Sequence, residues 1–406
     1  MELREILESV EDPELERTMG QLGMISEVKE SRKSISVSIH LPGIGYSQVD
    51  ELRARIVSGL ESAGVKASLE IDFVPMDESE QLELSLKLIG VVGGLAESAP
   101  GSDSHGAAGH DGAGHGAVDH EGAGHGAAGH GAAGHKHGSD TGVATNLPAH
   151  TRVLGIASGK GGVGKSSVSV NLALALASIG KKVSILDADV YGFSVPAMLG
   201  IDHPPMAIDK LIIPPMKSGI RCLSMGYFVA EDQPVIWRGP MLHKALEQFL
   251  TDSWWGAIDY LIIDMPPGTG DVTLSLAQYL PNMEIFVVTT PQPAAQRVAQ
   301  RSAYASKKLR LSVRGVIENM SWFTGDDGTR YEIFGSGGGA LLADTISVAL
   351  IGQIPISVNL RKAGDTGTAS EDFDVNQEAK QAFIDIATRI DQMKPTKRRS
   401  PELKLV

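Results

Sequence analysis

Hydrophobic and polar positions fall into three regimes along the chain. In residues 1–95 two periods are mixed. Apolar residues recur at helical spacing in Leu3–Val10 and Gln48–Ala63, whereas Ser34–Leu41 (SISVSIHL) and Ala67–Val74 alternate with period two, as half-buried strands do. This predicts a small α+β domain with a modest core. From Thr151 onward, apolar runs at Arg152–Ala157, Lys182–Leu186, Tyr260–Asp264, Glu284–Thr290, Ser312–Ile317 and Val348–Gln353 are separated by helical stretches such as Ser166–Ser178 and Ala294–Leu309. Such alternation predicts an α/β domain with a doubly wound, mostly parallel sheet covered by helices on both faces. Residues 96–150 show neither period and read as a disordered Gly/Ala/His linker. The expected organisation is 1–95, linker 96–150, an α/β domain over 151–393, and a basic tail over 394–406.

Composition sharpens this picture. The 406 residues are 42% hydrophobic and 21% charged, an ordinary globular mixture. The net charge of −13 is uneven: residues 1–99 hold 9 basic and 19 acidic side chains, against 26 and 25 in residues 141–406. Neither part offers the basic stripe of a nucleic-acid binder. No run approaches the apolar length of a membrane span, and the start MELREILESVEDPE is acidic with no hydrophobic leader. A cytoplasmic protein with neither nucleic acid nor membrane as partner is expected.

The linker carries His105, His110, His115, His120, His125, His130, His135 and His137. Imidazoles at this density suit divalent metal capture. Spacing by five fits no helix or strand face, so no preformed site is implied, and an incidental tether is the plainer alternative. The single cysteine, Cys222, excludes an internal disulfide or a Cys₂ metal site within one chain. Its apolar surroundings, Ile220 to Met225, suit a buried inert thiol.

The chemistry concentrates in four motifs. Gly159-Lys160-Gly161-Gly162-Val163-Gly164-Lys165-Ser166, followed by Ser167, fits G-x-x-x-x-G-K-[ST] between a strand and a helix. This is a P-loop: inward N–H groups cradle phosphates, Lys165 offers a point charge to the β/γ oxygens, and Ser166 can ligate Mg²⁺. Asp187-Ala188-Asp189 follows the second strand, where open α/β sheets bind ligands. Tyr260–Asp264 is a Walker B pattern in which Asp264 would hold Mg²⁺, and it runs into a turn whose Gly268 could offer an N–H to the γ-phosphate. Glu318-Asn319-Met320 follows a later strand, and no N-K-x-D guanine reader is present.

The second lysine of the loop, Lys160, resembles the deviant Walker A signature of dimeric ATPases of the MinD/ParA, nitrogenase iron protein and Mrp/ApbC groups. That resemblance implies a homodimer in which Lys160 reaches the partner's ATP. Asp189 would position the attacking water, Asp187 would lie near Mg²⁺, and Asn319 and Pro355 would contact the adenine. The wording Leu186–Gly192, Pro234–Met241, Asp264–Asp271, Val316–Ser321 and Ile333–Gly339 resembles the Mrp/ApbC (Nbp-like) iron–sulfur cluster carriers. Glu11–Leu15 and Leu22–Met24 resemble the MIP18-type domain fused ahead of them. This implies ATP and Mg²⁺ as cofactors, an iron–sulfur cluster as cargo, and apoproteins or assembly proteins as partners. One feature departs from the family. Its C-x-x-C would fall in Trp322–Thr329, which holds no cysteine, and the T-x-x-x-C-P of the N-terminal domain is missing from Leu41–Tyr46. Clusters are held mainly by thiolates.

An ATP-hydrolysing protein of iron–sulfur assembly is the expected function. A metal-handling ATPase using the histidine linker is one alternative. The other is a partitioning or scaffold ATPase, for which Phe383, Ile386, Ile390 and Met393 of helix Asn376–Met393 would serve as a membrane stripe, although such a stripe more often packs a core.

Overall fold

The computed structural model describes residues 3–31, 34–43, 46–65, 68–92, 145–228, 239–268, 270–373 and 377–396. The histidine tract, Pro234–Arg238, Ile44, Gly45, Thr269 and the tail from 397 lie outside the described residues.

The N-terminal elements are α1 (Leu3–Glu8), α2 (Met19–Leu22), β1 (Ile25–Glu30), β2 (Ser34–Leu41), α3 (Val49–Ser62), β3 (Ser68–Pro75) and α4 (Glu78–Val92). β2 is the middle strand, antiparallel to β1 and parallel to β3. Its alternating residues Ile35, Val37 and Ile39 are buried, and α3 covers them with Leu52, Ile56 and Leu60 at helical spacing. Thr18 and Gln21 form a capping box that starts α2.

The second sheet has eight strands among the described residues: β4 (Arg152–Ser158), β5 (Val183–Asp187), β8 (Met216–Lys217), β9 (Ile220–Ser224), β10 (Tyr260–Asp264), β11 (Glu284–Thr289), β12 (Ser312–Glu318) and β15 (Ala349–Gln353). β6 (Met206–Ile208) and β7 (Leu211–Ile213) pair as a hairpin, and so do β13 (Phe323–Thr324) and β14 (Arg330–Tyr331). The eight run in the order β15-β12-β11-β4-β10-β5-β9-β8, all parallel except β8 at one edge. The central strands read as continuous apolar runs because both faces are covered. α5 (Lys165–Ser178), α6 (Val195–Leu199) and α12 (Gln377–Gln392) contribute to one apolar cluster. α7 (Gly239–Thr251), α8 (Asp271–Tyr279), α9 (Pro293–Lys308) and α10 (Gly338–Ile346) contribute to the other, and α11 (Val358–Thr366) packs beside α6. Phe383, Ile386 and Ile390 of α12 are buried in that first cluster, so the stripe weighed above as a membrane face is core packing. Among the described residues no helix is long and apolar enough to cross a membrane.

The two sheets are joined by packing. Met206, Ile208, Leu211 and Ile213 of the β6–β7 hairpin, with Trp254, are buried in one cluster with the apolar residues of α1 to α4.

Candidate active site

β4 ends at Ser158 and α5 begins at Lys165, so residues 159–164 form the turn between them. The turn needs its glycines. Gly162 and Gly164 hold φ of 80° and 79°, the left-handed region that costs other residues energy. At Gly159 a Cβ would stand 2.2 Å from the Val298 backbone. At Gly161 and Gly162 it would meet nothing within 4 Å, which leaves room above the loop. Val163 is buried and anchors the loop below. The free amides at the start of α5 complete an anion cradle.

Parallel pairing brings the carboxyl ends of β4, β5 and β10 level, with Asp264 opposite both Ile156 and Asp187. Lys165 Nζ donates to Asp264 Oδ2 at 2.5 Å and lies 3.9 Å from Asp189 Oδ2. Ser166 Oγ donates to the same Asp264 oxygen at 2.6 Å, and Ser169 Oγ donates to Oδ1 at 2.6 Å. Asp187 Oδ1 accepts from the Asp189 N–H at 3.2 Å, and its Oδ2 accepts from the Ser194 N–H at 3.1 Å, the Val195 N–H at 3.3 Å and Ser224 Oγ at 3.1 Å. Burial, reinforced by the charge of Asp264, raises the Asp187 carboxyl above the usual carboxylate range. Burial also lifts Asp189, against the pull of the Lys165 ammonium. Three carboxylates and one ammonium therefore share a site from which water is largely excluded: Asp187 and Asp264 are fully buried and Asp189 is 8% exposed. Lys165 is the counterion of Asp264.

Beside the loop lies a cavity of about 790 Å³ lined by Gly164, Ser167, Met198, Asn319, Phe334 and Pro355 among others. Its size suits a nucleoside. Asn319 follows β12, and its Nδ2 donates to the Val163 carbonyl at 2.9 Å, tying this wall to the P-loop. Met320 beside it holds φ 59°, a strained value for a long side chain and a feature of functional loops. Glu318 fixes this segment from within: its carboxylate accepts from Ser321 Oγ at 2.9 Å, Gln353 Nε2 at 2.7 Å and the Gly339 N–H.

The sequence-expected residues do not all stand together. Lys165, Ser166, Asp187, Asp189 and Asp264 converge; Gly164, Ser167, Asn319 and Pro355 line the cavity. Gly268 has φ 95° but commits its N–H to the Ser158 carbonyl at 3.1 Å, so presenting it to a phosphate requires that loop to move. Lys160 is half-buried, and its own carbonyl accepts from Ser158 Oγ at 3.1 Å. Cys222 is fully buried, and burial pushes its thiol well above the ordinary value, as its apolar context predicted. Sequence reasoning missed Ser169 and Ser224. Ser169 was within reach of it, since four residues after Lys165 on a helix is the same face. Ser224 had no such signal, because a serine at the end of an apolar strand names no partner.

No group of three or more His, Cys, Asp or Glu able to hold a metal stands among the described residues. Mg²⁺ does not require one: it is bound through one or two carboxylates plus substrate phosphates, and Ser166, Asp187 and Asp264 are hard oxygen donors of that kind. A thiolate-held cluster has no such fit, because the one cysteine is interior.

Comparison with known proteins finds relatives of both parts of the chain. Residues 149–391 match the model of the NUBPL iron-transfer P-loop NTPases, and residues 1–68 match an iron–sulfur cluster assembly protein domain. An iron–sulfur cluster carrier protein of Mycobacterium tuberculosis is 35% identical over 95% of this chain and 93% of its own length. One of Bacillus subtilis is 34% identical over 96% and 97%. A nucleotide-binding protein from Archaeoglobus fulgidus, solved with ADP, superposes with a TM-score of 0.50 at 32% identity, covering 57% of this chain and 91% of that one. The matched span holds every strand of the eight-stranded sheet together with the P-loop and its carboxylates, and the chain belongs to the NUBPL iron-transfer P-loop NTPase family.

Proposed function

We propose that the chain is a Mg²⁺-dependent ATPase that works as a homodimer in iron–sulfur cluster assembly, and that the cluster is held through cysteines of a partner or apoprotein. The observation that carries the ATPase reading is the Lys165–Asp264–Ser166 contact set, with Asp189 alongside, on a loop whose flanking residues Gly164 and Ser167 line a nucleoside-sized cavity. The triphosphate lies along the N–H groups of residues 159–166. Lys165 exchanges Asp264 for the β/γ oxygens, a swap of one anionic partner for another in a site that already excludes water. Ser166, Asp264 and Asp187 are the donors for Mg²⁺, which neutralises phosphate charge when bound. Asp189 orients the attacking water, and its lifted proton affinity suits it to accept a proton. Lys160, on the open side of the loop, serves the nucleotide of the second subunit.

The carrier relatives bring the cluster to this reading, and the fate of the thiolates shapes it. With Cys222 sealed in β9, the chain supplies the nucleotide-driven conformational work and its client supplies the ligands.

ATP turnover and gel-filtration mass test the reading together. Lys165→Ala is expected to lower turnover at least about 100-fold, the size of effect seen when a pre-placed charge on a transition state is removed. Asp189→Ala is expected to keep ATP binding and accumulate the nucleotide-bound dimer. Equal turnover in the wild type and both variants would overturn the assignment. Anaerobic reconstitution with iron and sulfide is expected to leave the isolated chain without cluster absorbance; absorbance that Cys222→Ser removes would sink the client-held cluster.

A further inference from the structure

Residues 194–224 leave the sheet after β5 and return to it as β9. Both ends of this excursion are tied to one atom. The Ser194 and Val195 N–H groups and Ser224 Oγ all donate to Asp187 Oδ2, at 3.1, 3.3 and 3.1 Å. The middle of the excursion grips the N-terminal domain. Met206, Ile208, Leu211 and Ile213 are buried in that domain's core. Arg221, 2% exposed, donates to the Glu14 carbonyl and, at 3.3 Å, to the Pro214 carbonyl. Its guanidinium also lies 3.5 Å from the Glu16 carboxylate and 4.5 Å from the centre of the Trp254 ring. A charge this deep is tolerated only while those partners stay in place.

Arg221 and Ser224 share one strand. They are three residues, about 10 Å, apart along it. The strand is paired in register with β5, Arg221 opposite Ser184 and Ser224 opposite Asp187, and all five of its residues are buried. Close-packed interiors of this kind have low compressibility and transmit strain. Whatever repositions Ser224 therefore reaches Arg221.

We propose that Asp187 is the joint through which nucleotide occupancy and docking of the N-terminal domain bias each other, with Ser224 and Arg221 as positioning residues. The proposal rests on the nucleotide site argued above. Phosphate charge arriving beside Asp187 alters what its Oδ2 must balance, and so alters the three hydrogen bonds that close the excursion. Linkage makes the effect reciprocal: a domain that docks more tightly in one nucleotide state raises affinity for that nucleotide by the same factor. The acidic N-terminal domain thereby carries the state of the P-loop to a surface far from it.

Hydrogen exchange on the full chain, with and without AMPPNP and Mg²⁺, tests this. Nucleotide is expected to change exchange at the P-loop and also, by about fivefold or more, in peptides spanning residues 11–24 and 206–213. In the reverse direction, Arg221→Met is expected to weaken AMPPNP binding although Arg221 touches no part of the site. Should that variant fail to fold, Glu16→Gln, which removes only the partly exposed carboxylate, is expected to weaken binding about two- to fivefold. Protection confined to the P-loop would overturn the coupling alone, and unchanged affinity in Glu16→Gln would remove Arg221 from it. Absence of protection at the P-loop would instead overturn the nucleotide site, and the coupling with it.

Discussion

Gly164 is glycine for two reasons that a sequence shows only as one. Its φ of 79° belongs to the left-handed region, and a Cβ there would stand 2.3 Å from Asn319 Nδ2. An alanine would pay about 1–2 kcal/mol for the backbone alone, and it would also push the Asn319 amide off the Val163 carbonyl. Gly164→Ala is accordingly expected to raise the dissociation constant for ATP about tenfold or more, read by titration calorimetry; an unchanged constant would show that Asn319 and the loop are not coupled. The motif made the glycine legible because backbone geometry around phosphates admits few solutions. Its contact with Asn319, more than 150 residues away, depends on β4 and β12 flanking β11 in one sheet, and spacing along the chain cannot show that.

Elements were legible where one period dominated. The six strand-like runs and the helical stretches Ser166–Ser178 and Ala294–Leu309 all appear, with no end shifted by more than one residue. α4 is the instructive miss. Leu82, Leu84, Leu86 and Leu88 alternate like a strand, yet Glu78–Val92 is helical. The local signal was present in Asp77, whose side chain accepts from the Ser79 and Glu80 N–H groups while Glu80 returns a bond to the Asp77 N–H. A spacing of four inside the period of two then finds the core: Leu84 and Leu88 are buried, whereas Leu82 and Leu86 are 49% and 62% exposed. Leu88→Ala is therefore expected to cost about 2–5 kcal/mol, whereas Leu86→Glu stays within about 0.5 kcal/mol. Urea unfolding midpoints check this, and equal costs would contradict the helical register. The β6–β7 hairpin left no trace in the reading because strands of three residues are too short to show a period.

At the scale of the molecule, the seam between the two sheets is where charge and burial conflict. Asp12 accepts from Tyr46 Oη at 2.5 Å and from the Glu14 and Leu15 N–H groups, whereas Glu14 Oε2 is buried with no hydrogen-bond partner. Arg221 faces both carboxylates, with Glu16 at its outer side and the Trp254 ring over it. Burial pushes the Glu14 carboxyl up to about 7, despite the opposing pull of Arg221, and the charge of Asp12 adds to the rise. Burial raises Asp12 as well, against the bond from Tyr46. A carboxyl whose folded affinity for protons exceeds its unfolded one stabilises the fold fully below the ordinary carboxylate range and loses that contribution as pH rises through the folded value. For Glu14 the window runs from about 4.5 to about 7 and is worth about 2–4 kcal/mol. The acidic seam is thus expected to hold more tightly at pH 5.5 than at pH 8, opposite to the usual behaviour of salt-bridged carboxylates. Thermal unfolding of the full chain across that range checks it: the wild type should lose stability toward pH 8 relative to Glu14→Gln, which cannot titrate, and parallel curves would place the seam's pH response elsewhere.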